Sequence, residues 1–274
     1  MRRIQDLQDY LAEQGINVTS TVVKTSLINS VGGDGSVQWS PLAILPDEQK
    51  ALLSDEQEAM SLASMLAVHQ LQAEPGMKVL DTCSAPGMKA LYLSKLTEGL
   101  DMYCNDVSSP RMTRMRMLFD KHSVTAHTTK HDARRLSELY PSQSFDRILL
   151  DAPCSGEGVI CAGNQKLLQA WSPAKVRRLQ QLQIKILKDA WTLLKPGGRL
   201  VYATCTLNKN ENERVLKKAL KFDVSVTSQT MKLDGFEPLA HNHAWRILPS
   251  EYSIGFFIAV LEKADNEGVE YEYV

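Results

Sequence analysis

The chain has 274 residues, 43% of them hydrophobic and 23% charged, with a formal net charge of −1, which suits one large core-forming domain or such a domain with a small module. The near-zero balance excludes a polybasic protein that adheres to nucleic acid by charge alone. With no run of about 18 apolar residues and acidic residues early in MRRIQDLQDYLAEQG, neither a membrane span nor a signal segment is expected, and the expected location is the cytoplasm.

In chain order, Ile4–Gln14 is amphipathic and stops at Gly15; a β-rich run, Asn17–Val23, and the turn Gly32-Gly33-Asp34-Gly35 lead to Val37-Gln38-Trp39. Residues 1–50 therefore read as a short α+β module, too small to hold a core alone. Ser54-Asp55-Glu56-Gln57 fits a capping box, predicting a helix that carries Met60, Leu62, Met65, Leu66 and Leu71. Strands are then predicted at Lys78–Asp81, Met102–Asn105, Val124–Thr128, Arg147–Leu150, Arg199–Ala203 and Phe256–Leu261. Helices are predicted at Met88–Leu96, Pro110–Lys121, Ala174–Leu194 and Glu211–Leu220. This alternation implies an α/β fold, a doubly wound, mainly parallel sheet spanning 51–274, with ligands bound outside the C-terminal strand ends.

Several chemistry-bearing residues sit at those ends. Val79-Leu80-Asp81 runs into Cys83-Ser84-Ala85-Pro86-Gly87-Met88-Lys89, whose small residues let a ligand approach the backbone and a helix N-terminus; it has neither a dinucleotide fingerprint nor a phosphate-loop pattern. Asp106 ends the second strand, where such folds bind ribose hydroxyls, or else it caps the next helix. Asp132, in Lys130-His131-Asp132-Ala133-Arg134, either meets an adenine amino group or holds its loop, and His131 reads as an exposed loop residue.

The five cysteines, at 83, 104, 154, 161 and 205, have no C-x-x-C pair and no His within six residues, which points to reduced thiols rather than a compact zinc site; no metal is expected. Asp151-Ala152-Pro153-Cys154-Ser155-Gly156-Glu157-Gly158 puts one thiol beside a carboxylate, and Thr204-Cys205 delivers another to the same sheet edge. One such cysteine is usually a small buried hydrophobe; two at neighbouring strand ends point to a nucleophile. The basic clusters (Arg111, Arg114 and Arg116; Arg134 and Arg135; Lys175, Arg177 and Arg178; Lys217, Lys218 and Lys221) read as solvated helix faces unless the fold gathers them.

The ordered set C-S-A-P-G-M-K, N-D-V, H-D-A-R, D-A-P-C-S-G-E-G and A-T-C-T-L-N-K-N-E-N-E resembles the S-adenosylmethionine-dependent RNA cytosine-5 methyltransferases of the Sun (Fmu) family, of the RsmB and RsmF type. The likeness runs from about residue 55 to 262 and takes in Trp171-Ser172-Pro173 and Gly255-Phe256-Phe257-Ile258-Ala259. It implies a Rossmann-like class I methyltransferase. Cys83, Ser84, Ala85, Pro86, Gly87, Met88 and Lys89 would surround the methionine part and ribose of S-adenosylmethionine, Asp106 the ribose hydroxyls and Asp132 the adenine. Asp151 would meet the cofactor amino group and the target base, Cys205 would be the nucleophile, and Cys154 would serve product release.

The chain departs from the family pattern at Met88, where a second small residue is usual, at Ala90, where Thr or Ser is common, and in a short N-terminal region. Residues 1–50 would be a partial RNA-recognition module, in a minimal catalytic core, a truncated product, or an enzyme that takes RNA recognition from a protein partner or an assembled ribosomal subunit. The implied substrate is ribosomal RNA, with transfer RNA as the alternative; a catalytically weak RNA-binding or ribosome-assembly factor is the reading from another class. A small-molecule methyltransferase would leave both cysteines unexplained.

Overall fold

A computed structural model describes residues 4–16, 25–31, 37–43, 57–219, 244–249 and 253–265. Helix α1 (Ile4–Ala12) places Leu7 and Leu11 one turn apart. Both are fully buried, each contributing about 2 kcal/mol by area, against Ile160, Leu168, Trp171 and Leu207. Gly15, at φ +73°, ends the turn after α1.

Strands β1 (Thr25–Val31), β2 (Val37–Ala43) and β3 (Gln57–Met60) form an antiparallel sheet in the order β2-β1-β3. The Asn17–Val23 run lies outside the described residues. Of the expected capping box, residues 54–56 lie outside the described residues; Gln57 is in a strand, paired with Ser30 across β1 and β3, and the helix, α2 (Leu62–His69), is capped by Ser61, whose Oγ accepts the Ser64 N–H at 3.2 Å. Strand pairing outweighs a local cap signal here, because it satisfies a row of backbone groups. The small sheet thus takes in residues beyond the expected module boundary at 50.

The large sheet contains β4 (Lys78–Asp81), β5 (Asp101–Asn105), β6 (His127–Thr129), β7 (Phe145–Asp151), β8 (Leu194–Thr204), β9 (Ala244–Ile247) and β10 (Phe256–Glu262), in the order β6-β5-β4-β7-β8-β10-β9. The pairings from β6 through β8 are parallel; β10 runs antiparallel to both β8 and β9. β6 is shorter than expected because the Val124 N–H donates to the Phe119 carbonyl and closes the preceding helix. β9, four residues long, was not legible in the alternation.

Helices α3 (Met88–Leu96), α4 (Ser109–Lys121) and α7 (Pro173–Leu193) lie close to their expected spans; α5 (Glu157–Cys161) and α6 (Gln165–Ala170) are additional, and α8 (Glu213–Ala219) starts two residues later than expected. The alternation of side chains along β7 and β8 builds two cores. Ile148, Leu150, Leu200 and Tyr202 pack with Ile186, Leu187 and Ala190 of α7, while Leu149, Val201 and Ala203 pack with Met65, Val68, Tyr92 and Leu93 of α2 and α3. Strand order reverses between β4 and β7, so Asp81 and Asp151 end side by side at the switch point where this architecture binds ligands. Among the described residues no helix is long and apolar enough to cross a membrane.

Candidate active site

The switch point opens into a cavity of about 260 Å³, lined by Asp81, Ser84, Ala85, Pro86, Met88 and Lys89 from the β4–α3 turn, by Asp151 of β7 and Arg111 of α4, and by Met60, Ser61 and Ser64. The turn is made by Gly87, at φ +103°, and a Cβ there would stand 2.7 Å from Met115 Cγ and 3.0 Å from Phe119 Cε1. Only glycine holds this entry to α3 without strain. Cys83 and Gly87 shape the turn but do not line the cavity. Met88 lines it as an apolar wall beside Met60.

Charge in the cavity is concentrated and partly unmatched. Lys89 Nζ is 2.7 Å from Asp151 Oδ2. Burial alone pulls the Lys89 ammonium down, but Asp151, with smaller contributions from Asp81 and Cys205, outweighs it and holds the ammonium above its usual range. Among the described residues neither carboxylate oxygen of buried Asp81, nor Ser84 Oγ, has a well-formed hydrogen bond. Burial, reinforced by the Asp151 charge, pushes Asp81 up to about 7.

Asp106 and Asp132, expected near the cavity, stand outside its lining. Asp106 is buried, accepts the Ser108 N–H at 2.8 Å and pairs with Arg111 Nη1 at 2.8 Å; Ser108, not Asp106, holds the cap position of α4. Arg111 also donates to the Ala85 carbonyl, so this arginine ties the second strand end to the cavity wall. Asp132 caps the 3-10 turn Ala133–Glu138 and pairs with Arg134; hydrogen bonds from Arg134 bring its carboxyl down to about 2. His131 is half-buried rather than exposed, and both its backbone groups are bonded to the Asn105 amide.

Beside the cavity stand the two thiols. Cys154 Sγ lies 3.2 Å from Cys205 Sγ, although the residues are 51 apart in sequence. β7 and β8 are neighbours, so their C-terminal loops start adjacent and end in contact. The hydrogen bond to Cys205, then burial, pushes the Cys154 thiol up, so Cys154 keeps its proton and can donate to the Cys205 sulfur. Cys104 and Cys161 are core residues, and Cys83 is held up by burial.

Two buried acids support the thiol loops. Glu157 Oε2 accepts the N–H groups of Leu207 and Asn208 at 3.1 and 2.9 Å, and its Oε1 accepts Trp171 Nε1 and Asn208 Nδ2. Glu211 Oε2 accepts the Ser155 N–H at 3.0 Å and Gln183 Nε2 at 2.8 Å, and its Oε1 accepts Asn208 Nδ2. The Gly158 N–H bonds to the Cys205 carbonyl, and a Cβ on Gly158 would meet the Gly255 carbonyl oxygen at 1.8 Å. Sequence reading assigned no site role to Asp81, Arg111, Glu157 or Glu211. Asp81 had a signal, being the strand-end acid at the switch point; the two glutamates had none beyond lying inside the thiol-bearing motifs.

The doubly wound sheet with a switch-point cavity is the fold of Rossmann-like methyltransferases. It superposes on NSun6 from Pyrococcus horikoshii, solved with SFG, an analogue of S-adenosylmethionine, with a TM-score of 0.71 at 26% identity over 84% of this chain and 61% of that one. The family model of the 16S rRNA methyltransferases RsmB/F matches residues 68–262, and the chain belongs to that family. It is 35% identical to ribosomal RNA small subunit methyltransferase B of Vibrio cholerae over 202 residues, which is 73% of this chain and 45% of the relative. With the corresponding protein of Xanthomonas campestris it shares 32% identity over 257 residues, 93% of this chain and 56% of the relative. The chain thus spans about half the length of the curated relatives it matches.

Proposed function

We propose that the chain methylates carbon 5 of a cytosine in RNA, small-subunit ribosomal RNA being the substrate, with Cys205 as a covalent nucleophile. The observation that carries this reading is the 3.2 Å contact of two thiols beside a cavity that contains a Lys–Asp pair. The cavity fits S-adenosylmethionine: buried Asp81 and Ser84 offer acceptors for its ammonium group, and the Met60–Met88 wall offers an apolar surface. Asp106 and Arg111 would hold the ribose side, and Asp132 the adenine. When bound, this cofactor supplies an electrophilic methyl group to carbon 5 and leaves as a neutral thioether.

The chain's own residues prepare and then clear the ring. Carbon 5 of cytosine is a poor nucleophile, so the Cys205 thiolate first bonds to carbon 6, and the electron pair of the 5,6 double bond makes the ring an enamine. Asp151, oriented by Lys89, would hold the proton at nitrogen 3 that this addition requires. After methylation the carbon-5 proton passes to a base, the 5,6 double bond returns, the Cys205–carbon 6 bond breaks and nitrogen 3 gives back its proton. A protonated Cys154 would assist this last step by donating to the departing Cys205 sulfur. The target base must leave any stack to reach the thiols, so single-stranded or opened RNA is the expected form.

The test is transfer of labelled methyl groups from S-adenosylmethionine to small-subunit ribosomal RNA, with trapping on RNA that contains 5-fluorocytosine. Wild type is expected to methylate and trap, and Cys205→Ala to do neither. Cofactor binding without transfer would leave only an RNA-binding role, and trapping by Cys205→Ala would move the nucleophile elsewhere.

A further inference from the structure

Each thiol loop sends a buried carboxylate into the backbone of the other. Glu157 lies three residues after Cys154, yet it accepts the N–H groups of Leu207 and Asn208, which follow Cys205. Glu211 lies six residues after Cys205, yet it accepts the N–H of Ser155, next to Cys154. The exchange is locked at its centre by Asn208 Nδ2, which donates to Oε1 of both acids at 2.9 and 3.0 Å. Gln183 adds a second hold on the Cys154 loop, donating to Glu211 and to the Pro153 carbonyl, both at 2.8 Å. Ser155 Oγ and Thr206 Oγ1, each adjacent to a thiol residue, are 2.8 Å apart.

We propose that Glu157 and Glu211 are positioning residues that set the separation of the Cys154 and Cys205 thiols. This rests on the reading that both thiols act on one base. Four carboxylate oxygens face donors only: three backbone N–H groups, two side-chain amides and the Trp171 indole. Replacing either acid by its amide turns an NH₂ group toward donors whichever way the amide is flipped, so the loops must separate to relieve it. Both acids are wholly buried, so water cannot take over the lost contacts without opening the same interface. Neither acid lines the cavity, so the loss should fall on the thiol loops and not on cofactor affinity.

Thiol separation can be read without RNA. Diamide takes two hydrogens from a pair of adjacent thiols, becoming a hydrazine as the disulfide forms; wild type should yield a Cys154–Cys205 disulfide, quantified by peptide mapping. Glu211→Gln and Glu157→Gln are each expected to slow this at least about fivefold and to lower kcat for methyl transfer by at least as much, for about 1 kcal/mol of lost geometry. Their affinity for S-adenosylhomocysteine should stay within about twofold of wild type. Val215→Ala, a core truncation in α8, serves as the control for general destabilisation: it should lower Tm with the disulfide rate unchanged.

Wild-type disulfide rates in both glutamine variants, or an equal fall in Val215→Ala, would overturn the proposal. If the glutamine variants do not fold, Gln183→Ala, which removes the side-chain donor to Glu211 and to the Pro153 carbonyl, decides it: a slower disulfide supports the clamp and an unchanged rate rejects it. A wild type that methylates no RNA while Glu211→Gln still slows the disulfide would reject the catalytic reading and leave the clamp standing.

Discussion

The two halves of the site, a few residues apart across one sheet edge, are built on opposite principles. Around the cavity, Asp81 and Ser84 are buried with no well-formed hydrogen bond among the described residues, and Lys89 shares its charge between Asp151 and Asp81. Around the thiols, both oxygens of Glu157 and of Glu211 are occupied, and the backbone on either side of each cysteine is tied down. Buried polar groups left unpaired are costly unless a ligand completes them, whereas groups satisfied within the chain cost nothing further when substrate arrives. The cavity is thus built to receive, and the thiol pair is built to be already in place.

Substitutions on each side should separate these behaviours. The largest effect is expected from Cys154→Ala, which keeps attack by Cys205 but removes the donor to the leaving sulfur. Release should slow by about 10²-fold or more, leaving a protein–RNA adduct on ordinary RNA in denaturing gels while cofactor affinity is unchanged; absence of that adduct would remove the release role. On the cavity side, Gly87→Ala forces a side chain into left-handed backbone against Met115. It should cost about 1–3 kcal/mol in stability and weaken S-adenosylhomocysteine binding in calorimetry, with the diamide-driven disulfide forming at its normal rate.

The smallest effect is a pH dependence. Folded Asp81, pushed up to about 7, holds a proton that the unfolded chain loses near pH 4. Ligand-free protein should therefore lose stability as pH rises from about 4 to 7. Asp81→Asn should flatten the Tm–pH curve in part, and an unchanged slope would mean that Asp81 is ionised throughout.

The strands and helices that carry the cavity were legible because period-2 and helical patterns alternate cleanly from Lys78 to Leu194, and the switch point follows from that order. The thiol pairing was legible only as two cysteines at strand ends, since their distance depends on how β7 and β8 align. Gln57, expected in the first turn of a helix, lies in a strand because β3 pairs with β1, a contact no local pattern encodes. The glutamate exchange was hidden for the same reason: Glu157 and Glu211 each serve residues some fifty positions away. Arg111 looked like part of a basic surface and is exposed, yet it pairs with Asp106 and donates to the Ala85 carbonyl.

The near-contact of Gly158 with Gly255 ties the thiols to a part of the chain that holds no reacting group. The loop entering β10 presses on the first turn of α5, whose Gly158 N–H holds the Cys205 carbonyl. A chain emerging from the ribosome thus carries both cysteines long before it has the wedge that seats them. Loosening of the chain near Gly255 is expected to free the Gly158 turn that holds the Cys205 carbonyl while leaving both cysteines unchanged.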